Sequence, residues 1–148
     1  KNWMIRVSQY EVSAICHSTE SEAKVYECLK SFVPSDLQLV AITQVLRGHY
    51  GNVIKVMKIA LKGDKAAKSA QLLIASMNPH DLDYLLSTLE NRTEGSRIFL
   101  KFSKFKAFYG QKELVDRGDA IKVILSFSGY FKGLPPKSIL SKVGLIPN

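Results

Sequence analysis

Residues 97–112 read RIFLKFSKFKAFYGQK, sixteen positions that hold five basic residues, four Phe and one Tyr with no acid among them. Laid out as a strand, Ile98, Leu100 and Phe102 share one face while Arg97, Phe99, Lys101 and Ser103 share the other, because side chains alternate at period two. The first set fits a core. The second is left for solvent or a partner. Beyond Ser103 the alternation fails, since Lys104, Phe105, Lys106, Phe108 and Tyr109 cannot all be hidden by one pleat. Cations beside flat rings are what a single-stranded nucleic acid needs: charge for its phosphates and π-faces for its unstacked bases. A basic edge strand, with lysines that discourage edge pairing and rings turned inward, has the same pattern. The stretch alone leaves both readings open.

Charge across the whole chain sharpens the question. The formal net charge of the 148 residues is +8, and the excess is clustered: residues 55–68 sum to +4 and 97–112 to +5, while 69–96 sum to −3 and 1–54 to zero. Clustered positive charge steers polyanions, of which nucleic acids are the commonest. The length suits one domain that buries roughly 68–70% of its extended surface. A 46% hydrophobic, 23% charged composition is that of a globular protein. No apolar run reaches the ~18 residues of a membrane span, and the opening KNWMIRVSQYEV alternates like a strand rather than forming the apolar block of a signal peptide. A cytoplasmic protein is the expectation. Cys16 and Cys28 have no CxxC spacing, so both are expected to be reduced core residues.

Outward from the basic stretch, the expected elements follow local signals. Trp3 to Cys16 reads as a long strand whose inward parity switches near Ser8 and Gln9, the mark of a bulge. Thr19 and Glu22 form a capping box for a helix that buries Val25, Cys28, Leu29 and Phe32 and stops at Pro34. Gln38 to Leu46 reads as a strand, and Gly48 to Asn52 as a turn. Val53 to Leu61 fits either helical spacing or a strand. Asp64 opens a helix to about Met77, and Asn78 caps the next one, with Pro79 in its first turn. Arg97–Ser103, Glu113–Val115 and Ala120–Phe127 complete the strands. The expected fold is α+β in two layers, a mainly antiparallel or mixed sheet with helices on one face. Residues 1–128 form the domain, and 129–148 a tail that either packs on it or stays mobile.

Chemistry is sparse. The three histidines, His17, His49 and His80, lack metal-site spacing, and no Walker, GxSxG or GxGxxG motif occurs. No metal, cofactor or catalytic residue is therefore assigned. His17 with Glu20 and Glu22 is a local cluster of His and acids, but Glu22 belongs to the expected cap. In RGHYGN at 47–52, two glycines permit close backbone approach, and Arg47, His49, Tyr50 and Asn52 offer a cation, two rings and an amide. A tight hairpin needing positive φ angles would use the same glycines.

Three motifs occur in one order: HSTESEAKV at 17–25, RGHYGN at 47–52, and RIFLKFSKFKAFYGQKELV with DAIKVILSF across 97–127. Together they resemble an archaeal RNA-binding family described as predicted exosome subunits. Lys101 stands where that family tends to have Arg, Ser103 where it has Asp and Phe105 where it has Gln, while Lys104, Ala107, Phe108 and Gly110 fit. The resemblance implies a fold similar to the large-subunit ribosomal protein that accompanies the small ribosomal RNA. It also favours a strand at 53–61.

The expected function is a non-catalytic RNA-binding protein, an accessory factor of RNA processing or degradation related to the exosome. Lys55, Lys58, Arg97, Lys101, Lys104 and Lys106 would take phosphates, and His49, Tyr50 and Phe108 would stack bases, with Arg47 and Asn52 beside them. RNA, single-stranded or structured, is the expected partner, with exosome or ribosomal components beyond it. A monomer and a dimer through an exposed edge strand both fit. The alternatives are a protein-interaction module docking on an RNA-processing assembly, and a ribonuclease built on His17, Glu20 or His49.

Overall fold

Alternation in one strand dictates the architecture. β1 (Arg6–Cys16) buries Tyr10, Val12, Ala14 and Cys16 and turns Gln9, Glu11 and Ile15 the other way. At its start the inward residue is Val7, of opposite parity. The register against the neighbouring strand slips between Val7 and Gln9, so the extra residue of a bulge reconciles the two parities. The computed structural model describes residues 4–39, 41–48, 50–130 and 132–147. Trp3, expected in this strand, and His49 lie outside them.

The remaining elements are α1 (Glu22–Lys30), β2 (Ile42–Arg47), β3 (Val53–Lys62), α2 (Gly63–Ser76), α3 (Pro79–Ser87), α4 (Leu89–Arg92), β4 (Thr93–Glu94), β5 (Arg97–Ser103), α5 (Lys104–Ala107), β6 (Ala120–Ser128) and α6 (Pro136–Lys142). The six strands among the described residues make one antiparallel sheet in the order β2-β3-β1-β6-β5-β4. This is the expected α+β class. The segment that fitted either period is the strand β3, paired on both sides.

Register places the apolar sets on one face. Val12 lies opposite Ile59 and Val123, Ala14 opposite Met57, and Leu100 and Phe102 opposite Val123 and Ile121. Helix α2 covers this face with Ala66, Ser69, Ala70, Leu73 and Ile74, small residues that let the helix approach the strands closely. α1 adds Val25, Cys28 and Leu29. The segment after β6 joins the same core through Ile139, Leu140, Leu145 and Ile146. No helix among the described residues is long and apolar enough to cross a membrane.

Several local expectations are corrected. Ser21, not Thr19, caps α1 by accepting from the Lys24 N–H, while Glu20 turns back to the His17 N–H at 3.0 Å. β2 begins at Ile42 rather than Gln38, and it is an edge strand with all six residues exposed. Glu113–Val115 contributes a single bridge, Leu114 to Phe102. Lys104–Ala107 is a turn of helix capped by Ser103, whose oxygen accepts from the Lys106 N–H at 3.1 Å. Ser and Asp both serve as N-caps, so the serine at this position keeps the turn intact.

The fully buried Tyr10 hydroxyl donates to the Phe32 carbonyl at 2.6 Å, tying the central strand to the end of α1, and burial pushes its phenol well above the ordinary pKa. Tyr10→Phe leaves that carbonyl unsatisfied. It should lower stability in urea denaturation by ~1–3 kcal/mol; an unchanged midpoint would show that the bond contributes nothing.

Candidate functional site

The face of the sheet opposite the helices has its own pattern. Lys58 of β3 lies opposite Ser13 of β1, Ser13 opposite Lys122 of β6, and Lys122 opposite Lys101 of β5. Three lysines thus stand in one transverse row over four adjacent strands. At ~4.8 Å per strand, the row spans about 14 Å from Lys58 to Lys101. The next row holds Ala60, Glu11, Ile124 and Phe99, and the one beyond it Lys62, Gln9, Ser126 and Arg97. Acids on the described strands of this face are Glu11, 3.7 Å from Lys58, and Glu94, in register with Arg97 at the sheet margin, while Asp119 and Asp116 border it beside Lys122 and Lys101. A basic face with a phenylalanine toward its β5 margin is the result.

Lys122 and Lys62 were not among the expected site residues, although a signal existed. In AIKVILSF the inward set is Ile121, Val123, Leu125 and Phe127, so Lys122 had to point outward. What the alternation could not show is which lysines become neighbours, because that depends on register between strands far apart in sequence.

A second grouping lies at one end of the sheet. Cys16 ends β1 opposite Lys55, Ser103 ends β5 opposite Ala120, and the β2–β3 hairpin projects beyond Lys55. The three sequence motifs therefore meet here. In the hairpin a Cβ on Gly48 would collide with the Asn52 side-chain amide, and Gly51 has φ +83°. The glycines are needed for the turn itself. Tyr50 stands 92% exposed and Arg47 reaches the Gly51 carbonyl at 3.5 Å. Arg97 is at the other end of β5, ~20 Å from Ser103 at about 3.3 Å per residue.

Lys104, expected to face phosphates, is instead 3% exposed. Its ammonium donates to the Ile15 carbonyl, to Glu20 Oε1 at 2.7 Å and to Asp119 Oδ2 at 3.2 Å. His17 Nε2 meets the same Asp119 oxygen at 3.2 Å. His17, Glu20 and Asp119 thus gather into a cluster with metal-like ligand atoms, but the lysine already fills the space between the two carboxylates. Burial raises the Glu20 carboxyl, yet the Lys104 hydrogen bond and charge, with the His17 N–H, outweigh it and hold its pKa below the ordinary value. Lys55 is engaged too, bound to Glu22 at 2.5 Å.

The aromatic turn divides its rings. Phe102 is buried against Phe32, while Phe105, Phe108 and Tyr109 are 67%, 42% and 68% exposed. Phe105 and Tyr109 meet edge-on at 5.3 Å. Together with Ala23, Lys24 and Glu27 of α1 these rings line a groove of about 980 Å³. Lys106 lies on the same turn, partly exposed. Lys112 folds inward over the Phe32 ring at 5.3 Å, and burial lowers its pKa.

Known proteins resemble this chain in sequence and in fold. The sequence model of a family described as RNA binding matches residues 9–127. An uncharacterised protein of Methanocaldococcus jannaschii is 30% identical over 142 residues, 93% of each chain. A Pyrococcus abyssi protein named RNA-binding protein is 23% identical over 131 residues, 85% of each chain. A crystal structure from Archaeoglobus fulgidus superposes with a TM-score of 0.71 at 28% identity, covering 82% of this chain and 86% of that one. One from Sulfolobus solfataricus gives 0.74 at 23% identity, covering 91% and 96%, a likeness of fold alone.

Lys104→Met strips two carboxylates and a carbonyl of their shared donor and should cost about 3 kcal/mol at neutral pH. The deficit should shrink in acid. A carboxyl with a depressed folded pKa contributes stability that is complete above its unfolded value of about 4.3 and is lost as pH falls through the lower folded value. Denaturation midpoints of both proteins from pH 7 to 3 test this; a deficit independent of pH would refute the ion-pair account.

Proposed function

The chain belongs to the family described as RNA binding, and on that premise we propose that it is a non-catalytic RNA-binding protein that lays a sugar–phosphate backbone across the uncovered face of its sheet. The observation that carries the reading is the transverse row of Lys58, Lys122 and Lys101. Three ammonium groups on adjacent or next-adjacent strands of a rigid surface form a track for successive phosphates, and each phosphate neutralised releases counterions. Lys62 and Arg97 widen the track at its far margin. RNA leaving the face past Ser103 and Ala120 would reach the hairpin and the aromatic turn, where Arg47 and Lys106 offer charge and Tyr50 and Phe108 offer rings, with Asn52 in the loop between. Within this reading Lys104 and Lys55 hold the end of the sheet together and leave phosphate contact to their neighbours. Glu20, the acid on which the ribonuclease reading would rest, is held with Asp119 and Glu22 in these ion pairs, which supports a binding rather than a cleaving role. The named Pyrococcus relative supports RNA as the polyanion. A place among accessory factors of RNA processing or degradation, in contact with exosome or ribosomal components, rests on the motif resemblance.

The test is affinity for a short single-stranded RNA across a salt series, with a Lys58, Lys101, Lys122 triple alanine beside the native chain. At ~0.7 per phosphate contact, the log–log salt slope of the mutant should be shallower by about 2. A mutant that stays folded by circular dichroism and keeps the native slope would remove the RNA from this face.

A further inference from the structure

Next to the lysine row, the margin of the sheet holds a pocket that phosphate binding does not use. At the outer edge of β5, helices α3 and α4 and the chain near Asp116 enclose a cavity of about 340 Å³. Phe99 and Lys101 form the wall toward the open face. Phe99 is the one aromatic ring among the described strand residues of that face, and the Arg97 guanidinium lies 5.3 Å from its centroid. The opposite wall is polar and tied in place. Arg92 donates from Nε to Thr88 Oγ1 at 2.8 Å and from a terminal nitrogen to Asp116 Oδ1 at 3.1 Å, while the Tyr84 hydroxyl donates to Asp116 Oδ2 at 2.5 Å. The Arg92 side chain is 10% exposed. These bonds fix the carboxylate before any ligand arrives. The Tyr84 bond, together with Arg92, also holds the Asp116 pKa below the ordinary value, so it remains an acceptor at neutral pH. Asn91 lines the same cavity with an exposed amide.

A ring face, an amide with one donor and one acceptor, a fixed carboxylate and a lysine leading to the phosphate track are the parts of a base-reading site. We propose that this pocket receives one unpaired adenine of the RNA on the sheet, an inference that rests on the RNA-binding reading of the face. The base stacks on Phe99, its exocyclic amine donates to Asp116, and Asn91 pairs with its edge, as Asn pairs bidentately with adenine elsewhere. Uracil would turn a carbonyl oxygen toward the carboxylate and be disfavoured, whereas cytosine offers Asp116 the same amine but a smaller face to Phe99 and no N7 edge for Asn91. The arginine, the side chain that reads guanine best, is already spent on Asp116 and Thr88.

The experiment compares ten-nucleotide rA and rU for the native chain, Phe99→Leu, Asn91→Ala and the triple-lysine variant, each across salt. The native protein should bind rA about tenfold more tightly than rU, and more tightly than ten-nucleotide rC measured beside them; rC bound as tightly as rA would overturn adenine as the base. Phe99→Leu should lower rA affinity by about tenfold, the lower part of the range for loss of one stacked base, with an unchanged salt slope. Asn91→Ala should narrow the rA to rU ratio and leave rU affinity as it was. Equal native affinities, or a ratio that survives both pocket variants, overturns the adenine pocket even where the triple-lysine variant still flattens the slope. A native slope in the triple-lysine variant instead overturns the face on which the pocket depends.

Discussion

Alternate residues of β1 are packed under helices, and those between them lie on the opposite face, exposed at Gln9 and Ile15 and buried at Ser13, where Lys58 and Lys122 flank it. That one-sided burial governs the rest of the molecule. Tyr10, Val12, Ala14 and Cys16 commit the same parity in β3 and β6, and through β6 in β5, because antiparallel partners directly opposite share a face. A one-residue slip anywhere would carry apolar side chains to the wrong side. The bulge at Ser8 is tolerated because it lies near the start of the strand, where Val7 must face Phe127. The uncovered face is then free to carry charge, and the lysines there cost the core nothing.

Holding the end of this sheet in place falls to a buried cation. Lys104 joins the last turn of β1 through the Ile15 carbonyl, the approach to α1 through Glu20, and the loop before β6 through Asp119. A lysine suits this position because three donors on a flexible stem can satisfy three acceptors from three directions. The same contacts set an ammonium between the two carboxylates of the cluster that also holds His17. The aromatic turn that follows is anchored at Lys104 and projects its rings outward from there, beside α1.

Much of this was legible in residues 97–112. Alternation assigned Ile98, Leu100 and Phe102 to the core and Phe99 and Lys101 to the open face, and the loss of alternation after Ser103 marked the place where the strand becomes a helical turn. The helix caps at Asn78 and near Glu22 were equally local, although the capping oxygen of α1 is that of Ser21 rather than Thr19. Lys104 itself was misread as exposed. A lysine between Ser103 and Phe105 carries no sequence signal that its partners are Glu20 and Asp119, since neither is near it in the chain.

The sequence by itself determined the strand and helix alternation, the class of fold, and the clustering of positive charge, because each depends on residues within a few positions of one another. Only the tertiary structure decided that Lys58, Lys101 and Lys122 stand in one row, that Lys104 is a clamp, and that Phe99 borders a pocket with Asn91 and Asp116. These are matters of inter-strand register and helix docking, fixed by burial summed over the whole sheet, and no local window of residues contains that sum.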